Sequence, residues 1–240
     1  MQEVYNERID RIISSLGIMS RSACRRAARD GRIYLNGEAV RNTDRKVTER
    51  DELLLDGNKI VYSKYMYLLL NKPEGYVCAA EDGRYPTVFE LLPPEYSNLK
   101  LSTVGRLDMN TTGVLLITND GALSHALLSP KRKVEKVYRA ALKFPVSERD
   151  AESFAEGLTL DGNEKALPAR LLITGEREAE VTVCEGKFHQ IKRMFLAVHN
   201  QVRRLERISF AGITSDGVKI GEWRVLTPDE TETLRRKADI

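Results

Sequence analysis

The sequence predicts an α+β protein, with a small N-terminal module over residues 1–60 and a larger domain over 61–240 built on a mixed or antiparallel sheet. Three observations carry that expectation. Strand-like and helix-like runs are interleaved without the regular alternation, at crossover length, that a doubly wound parallel sheet requires. The turn pairs Asn36-Gly37 and Asp56-Gly57 close short apolar runs near the N-terminus. And 240 residues, 42% of them hydrophobic, suffice to bury a core in each part.

The first helix is expected over 6–16, where Ile9, Ile12, Ile13 and Leu16 recur at i, i+3, i+4 and i+7 and Gly17 stands where a left-handed cap belongs. A second is expected over 21–30, with Ser20 as N-cap and Gly31 as terminator. At 100° per residue Arg21, Arg25, Arg29 and Arg32 share one side, and Ala23, Cys24, Ala27 and Ala28 the other. The runs 32–35 and 52–55 read as a small hairpin, and 58–64 reads as a polar link. Five arginines between positions 21 and 32, opposed only by Asp30, favour a phosphate-binding surface. The segments Arg8-Ile9-Asp10, Leu16 to Arg21, Gly31-Arg32-Ile33, Asn36-Gly37, Lys46-Val47 and Asp56-Gly57 together resemble an S4 RNA-binding domain over 5–57. The resemblance implies contact with structured RNA through Arg21, Arg25, Arg29 and Arg32.

Beyond the link, strands are expected over 66–70, 114–118, 136–142, 169–174 and 180–184, and helices over 122–128, 147–156 and 188–198. In the last of these, Phe188, Ile191, Phe195 and Val198 would bury one face.

Composition narrows the chemistry mainly by exclusion. Charge is nearly balanced, 38 Lys and Arg against 35 Asp and Glu, a formal +3. Cys24, Cys78 and Cys184 are an odd, scattered set, which predicts free thiols in a reducing compartment, the cytoplasm. The longest apolar stretch, 65–70, falls far short of the roughly 20 residues of a membrane helix, and the N-terminus is too polar for a signal peptide. Phosphate-loop, dinucleotide, zinc-peptidase and nucleophile-elbow patterns are missing, and His125, His189 and His199 are too dispersed to suggest a metal.

One stretch concentrates chemistry. In Gly105-Arg106-Leu107-Asp108-Met109-Asn110-Thr111-Thr112-Gly113, glycines at both ends can expose Asp108 while the threonine hydroxyls satisfy nearby backbone. Arg106, two residues earlier, falls on the same face if the segment is extended. This stretch, followed by an apolar strand and Asn119-Asp120-Gly121, resembles the signature of pseudouridine synthases, in particular those that act on ribosomal RNA with an S4 domain in front. Leu70-Asn71-Lys72-Pro73, Glu135-Lys136 with Tyr138, and Glu185-Gly186 with Phe188-His189-Gln190-Ile191-Lys192-Arg193 agree with it in the same order.

The resemblance implies that Asp108 is the essential carboxylate, either as nucleophile or as stabiliser of charge at the sugar carbon. It implies that Lys192 is its cation, that Tyr138 stacks near the uracil, and that Arg106 meets the flipped nucleotide. A carboxylate in a water-poor pocket needs such a cation to stay ionised. The compact ending resembles the bacterial small-subunit type that modifies uridine 516 of 16S rRNA; a large-subunit relative, or a non-catalytic S4-type assembly protein, is the alternative. No cofactor or metal is expected. The expected partner is small-subunit rRNA or an assembly intermediate, met by a monomer, with no membrane role. Arg193, with Lys187, Lys192, Arg203, Arg204 and Arg207, and separately Lys131, Arg132 and Lys133, would extend a basic track for the RNA backbone.

Overall fold

A computed structural model describes residues 6–48, 50–62 and 65–240. Packing divides the chain into two units, Met1–Met66 with Leu92–Leu101, and Tyr67–Leu91 with Ser102–Ile240. A single boundary at 60/61 does not capture the segment 92–101, which groups with the first unit.

In the first unit the expected first helix is shorter. Residues Asn6–Arg8 are extended (β1), and the helix α1 is Ile9–Ser15, starting where the apolar period starts. The second helix, α2, is Arg21–Arg29, and the Ser20 hydroxyl accepts from Ala23 N–H at 3.2 Å. Then come β2 (Ile33–Leu35), β3 (Glu38–Ala39), β4 (Lys46–Thr48), β5 (Leu53–Leu55) and β6 (Asn58–Ile60). β1 pairs antiparallel with β4, and the others form a sheet in the order β3-β2-β5-β6. The expected polar link therefore begins with a strand, and its residues 63 and 64 lie outside the described ones. Asp56 at φ 52° and Gly57 at φ 78° form a two-residue turn that folds Asn58–Ile60 back on Leu53–Leu55. Ile9, Ile12, Ile13, Cys24, Ala27, Ala28, Ile33 and Leu53 make the core, so α2 buries its small residues and leaves its arginines outside.

The second unit comprises β7 (Tyr67–Lys72), β8 (Ser102–Thr103), β9 (Thr111–Thr118), α3 (Gly121–Leu128), β10 (Lys136–Leu142), α4 (Glu148–Glu156), β11 (Arg170–Gly175), β12 (Glu178–Val183), α5 (Gln190–Ala197), β13 (Val202–Phe210), β14 (Ile213–Thr214), β15 (Trp223–Val225) and α6 (Pro228–Ala238). Among the described residues nine strands form one sheet, with β11-β12-β10-β13-β9-β7-β15 in line, β14 on β13 and β8 on β9. Neighbours are antiparallel except β9 and β13, so the sheet is mixed and the fold is α+β as expected. Leu69, Val114 and Leu116 pack with Leu123, Leu127 and Leu234 of α3 and α6 to cover one region of the sheet.

The longest strand, β13, escapes a reading by alternation because charged residues interrupt it. Of these, Arg207 is only 2% exposed. It thus leaves the expected basic track: its Nε donates to the Val114 carbonyl at 2.7 Å and its guanidinium lies 5.1 Å from the Phe210 ring centre.

The C-terminal helix is fixed by a capping box, with Thr227 Oγ1 accepting from Glu230 N–H and Glu230 accepting from Thr227 N–H. Arg224 holds the same Glu230 carboxylate through two 2.6 Å hydrogen bonds, which draw its pKa down to about 2. Because the folded pKa lies below the unfolded one, this stabilisation is present above the ordinary glutamate range and is lost as pH falls from there toward about 2. Glu230→Gln is expected to cost about 2 kcal/mol at pH 7 and almost nothing near pH 2, read from urea midpoints at the two pH values.

Candidate active site

Asp108 sits on the loop before β9, in an open cleft that Arg106, Tyr138, Gln190 and Leu205 also line. Its Oδ2 accepts from Lys192 Nζ at 2.8 Å, and the same ammonium donates to Asn110 Oδ1 at 2.6 Å. His189 Nε2 lies 3.5 Å from Asp108 Oδ1, an ion pair only when the imidazole is protonated. Asp108, Tyr138, Arg106 and Lys192 thus come together from a loop, a central strand and a helix far apart in sequence. Asp108 and Lys192 carry side-chain exposures of 29% and 22%, so the pair is more solvated than the water-poor pocket expected for it.

The loop is held by contacts the sequence reading did not assign. Lys72 is fully buried, and its Nζ donates to the carbonyls of Pro73 (3.0 Å), Asp108 (3.1 Å), Met109 (3.3 Å) and Thr111 (3.0 Å). Burial pushes its pKa down. The four carbonyls share the three N–H donors of an ammonium, and an aliphatic chain at this position would leave all of them unsatisfied. Gly75 N–H donates to the Met109 carbonyl at 2.9 Å, and the Cys78 sulfur lies 3.4 Å from both the nitrogen and the carbonyl oxygen of Leu107. Residues 72–78 therefore cradle the Asp108 loop by its backbone. The Thr111 hydroxyl does not do so as expected: Oγ1 is buried without a hydrogen-bond partner, and loop closure comes from Thr111 N–H to the Asp108 carbonyl at 3.0 Å.

Gly113, at φ 102°, joins this loop to the sheet. A Cβ there would stand 2.2 Å from the Arg207 carbonyl oxygen. Across the strands Lys72, Gly113, Arg207 and Tyr138 are successive register partners, so one row of the sheet carries the loop clamp at one end and the tyrosine at the other.

The start of α5 also differs from expectation. The helix begins at Gln190, so Phe188 lies outside its periodicity and is exposed instead of buried with Ile191 and Phe195. Arg193, expected to meet phosphate, bonds Asp161 Oδ1 (2.5 Å) and Glu164 Oε2 (2.7 Å), with Lys187 on the other Glu164 oxygen at 3.0 Å. These bonds tie the segment 161–164 to α5.

In the first unit Arg21, Arg25, Arg29 and Arg32 are all exposed. Arg25 also reaches the buried Asp10 at 3.4 Å, an acid whose pKa is lowered chiefly by its hydrogen bonds with Arg8. Arg32 is engaged by Asp56 at 2.6 and 2.5 Å. Cys24, Cys78 and Cys184 are free thiols, and no helix among the described residues is long and apolar enough to cross a membrane.

Comparison with known proteins identifies both domains. Residues 66–197 match the RNA pseudouridylate synthase family and residues 7–53 the S4 domain. Ribosomal small subunit pseudouridine synthase A of Escherichia coli is 40% identical over 95% of this chain and 99% of its own; the protein of the same name from Haemophilus influenzae is 36% identical with the same coverage. A crystal structure of a pseudouridylate synthase superposes with a TM-score of 0.68 at 35% identity, covering 95% of this chain and 99% of that one. With both its domains and nearly its whole length accounted for, the chain belongs to the RNA pseudouridylate synthase family, as an enzyme with an S4 domain ahead of its synthase domain.

Proposed function

We propose that this enzyme isomerises one uridine of small-subunit ribosomal RNA, uridine 516 of the 16S molecule, to pseudouridine, acting as a cytoplasmic monomer on the RNA or an assembly intermediate. The reaction breaks the N1–C1′ bond, turns the uracil and joins C5 to C1′; C5 loses a proton and N1 gains one, so no cofactor is consumed. The observation that carries the reading is the Asp108–Lys192 pair, 2.8 Å apart in a cleft shared with Tyr138 and Arg106. Lys192 holds and aims the carboxylate, and the carboxylate serves C1′ as nucleophile or as stabiliser of the charge left when N1 departs. Tyr138 stacks on the uracil and Arg106 meets the flipped nucleotide. Opening the helix to flip it costs a few kcal/mol, which phosphate contacts from Arg21, Arg25 and Arg29 repay. The small-subunit target rests on the names of the relatives that match nearly the whole chain.

The test is to incubate the protein with unmodified 16S rRNA, 23S rRNA and small-subunit intermediates and to map pseudouridine by carbodiimide-blocked primer extension. A stop at uridine 516 is expected; a stop in 23S rRNA alone overturns the target, and none anywhere overturns the reaction. Replacing Arg21, Arg25 and Arg29 together by Ala should reduce the slope of log affinity against log salt by about 2 to 3. An unchanged slope would remove that helix from the RNA interface.

A further inference from the structure

Phe188 is 72% exposed, although it stands in the segment that supplies the cation of the catalytic carboxylate. The residues around it explain this exposure. Gln190 N–H donates to the Lys187 carbonyl at 3.2 Å, Lys187 N–H donates to Gln190 Oε1 at 3.0 Å, and Gln190 Nε2 donates to Glu185 Oε1 at 2.7 Å. These bonds pin a tight turn whose two central residues are Phe188 and His189. His189 adopts φ 49°, ψ 31°, a left-handed conformation that a residue with a Cβ enters at a cost, and such strain gathers at functional sites. The two rings stack with centroids 3.8 Å apart and planes 19° from parallel. The inner ring, His189, is the one beside Asp108 at 3.5 Å. The outer ring turns its free face to solvent. Arg203, exposed and on the same face of β13 as the cleft residue Leu205, places positive charge on that side of the sheet.

We propose that Phe188, backed by His189, is a stacking platform for the base next to the target uridine in the RNA strand. This rests on the synthase reading above. A uridine withdrawn from its helix leaves its neighbour unstacked, and an open aromatic face at the cleft replaces the lost contact without reading sequence. His189 keeps the platform at a fixed distance from Asp108, so binding the neighbour also sets how far the uridine reaches into the cleft.

The test uses a short single-stranded RNA with one central uridine flanked by 2-aminopurine, whose emission is quenched when it stacks. Asp108→Asn protein is the background, so that turnover does not change the probe. Stacking of one base is worth about 1 to 3 kcal/mol, which is about 5- to 150-fold in affinity. Phe188→Leu should weaken binding and lose the quenching to that extent, and Phe188→Tyr should restore both. Replacing one flanking base by an abasic residue should weaken the parent protein by the same factor and leave the Phe188→Leu form no weaker than before. Equal affinity of the Leu and Phe forms overturns the proposal. So does a coupling that appears only when the central uridine itself is abasic, since Phe188 would then hold the target. Because binding is read without product, this result stands apart from the rRNA mapping, which alone decides the reaction and its target.

Discussion

Asp108→Asn is expected to lower kcat by about 10⁴-fold or more while KM stays within a few-fold of wild type. The amide has the carboxylate's shape, and its oxygen can still accept from Lys192, which now donates at 2.8 Å. The backbone clamp from Lys72 acts on carbonyls of the loop, so it is untouched by the change. What disappears is the negative charge that the proposed role needs at the sugar carbon, whether it acts as nucleophile or as electrostatic stabiliser. A matching pair sharpens the test. Lys192→Met should lose most of the same activity because the carboxylate is left without its cation. Lys192→Arg, which keeps the charge but replaces the point ammonium with a planar fork, should retain part of it. Steady-state release of tritium from C5 of labelled uridine, followed over a range of RNA concentrations, measures each. Asp108→Asn activity within tenfold of wild type would remove the carboxylate from the role proposed for it.

Gly113→Ala should be the most damaging of the Gly→Ala substitutions in this chain, since no other glycine has backbone this close to an added Cβ. The added Cβ would sit 2.2 Å from the Arg207 carbonyl oxygen and 2.9 Å from its carbonyl carbon and nitrogen, all backbone atoms of β13 that no rotamer change can move. The φ of 102° is a further penalty for any residue with a side chain. Overpacking of this kind and the strained backbone together are expected to cost about 3 to 5 kcal/mol, a large share of a domain's stability. The position also matters for function. β9 follows the Asp108 loop, β13 lies between it and the strand of Tyr138, and separating the two strands moves the carboxylate away from the tyrosine. The expected result is a fall in the denaturant midpoint together with loss of activity in whatever fraction remains folded. A folded, fully active Ala variant would show that the β9–β13 seam is not rigid.

Much of the architecture was legible because it obeys local periodicity. The Ile9-Ile12-Ile13 spacing, the Ser20 cap and the strand at Lys136–Leu142 need only neighbouring residues to be recognised. The strand β13 was not, since its pattern is broken by arginines and one of them is buried. A buried Arg207 is permitted only by a carbonyl and an aromatic ring that arrive from distant parts of the chain. Phe188 departs from its helical spacing for a related reason. Helical spacing places it with Ile191 and Phe195, but the left-handed His189 starts the helix two residues later. Likewise the expected phosphate contacts of Arg193 depend on where Asp161 and Glu164 fold, and they fold onto it.

The sequence alone determined the α+β class, the family, and the residue types of the site, because caps, turns and motif spacings are properties of short segments. Only the tertiary structure decided that Lys72, deep in the sheet, clamps the Asp108 loop, and that Lys192 meets a carboxylate 84 positions earlier in the chain. It also decided which arginines are occupied and which stand exposed. Those are pairings between distant segments, and their energies depend on distance and burial, quantities that exist only once the chain has closed on itself.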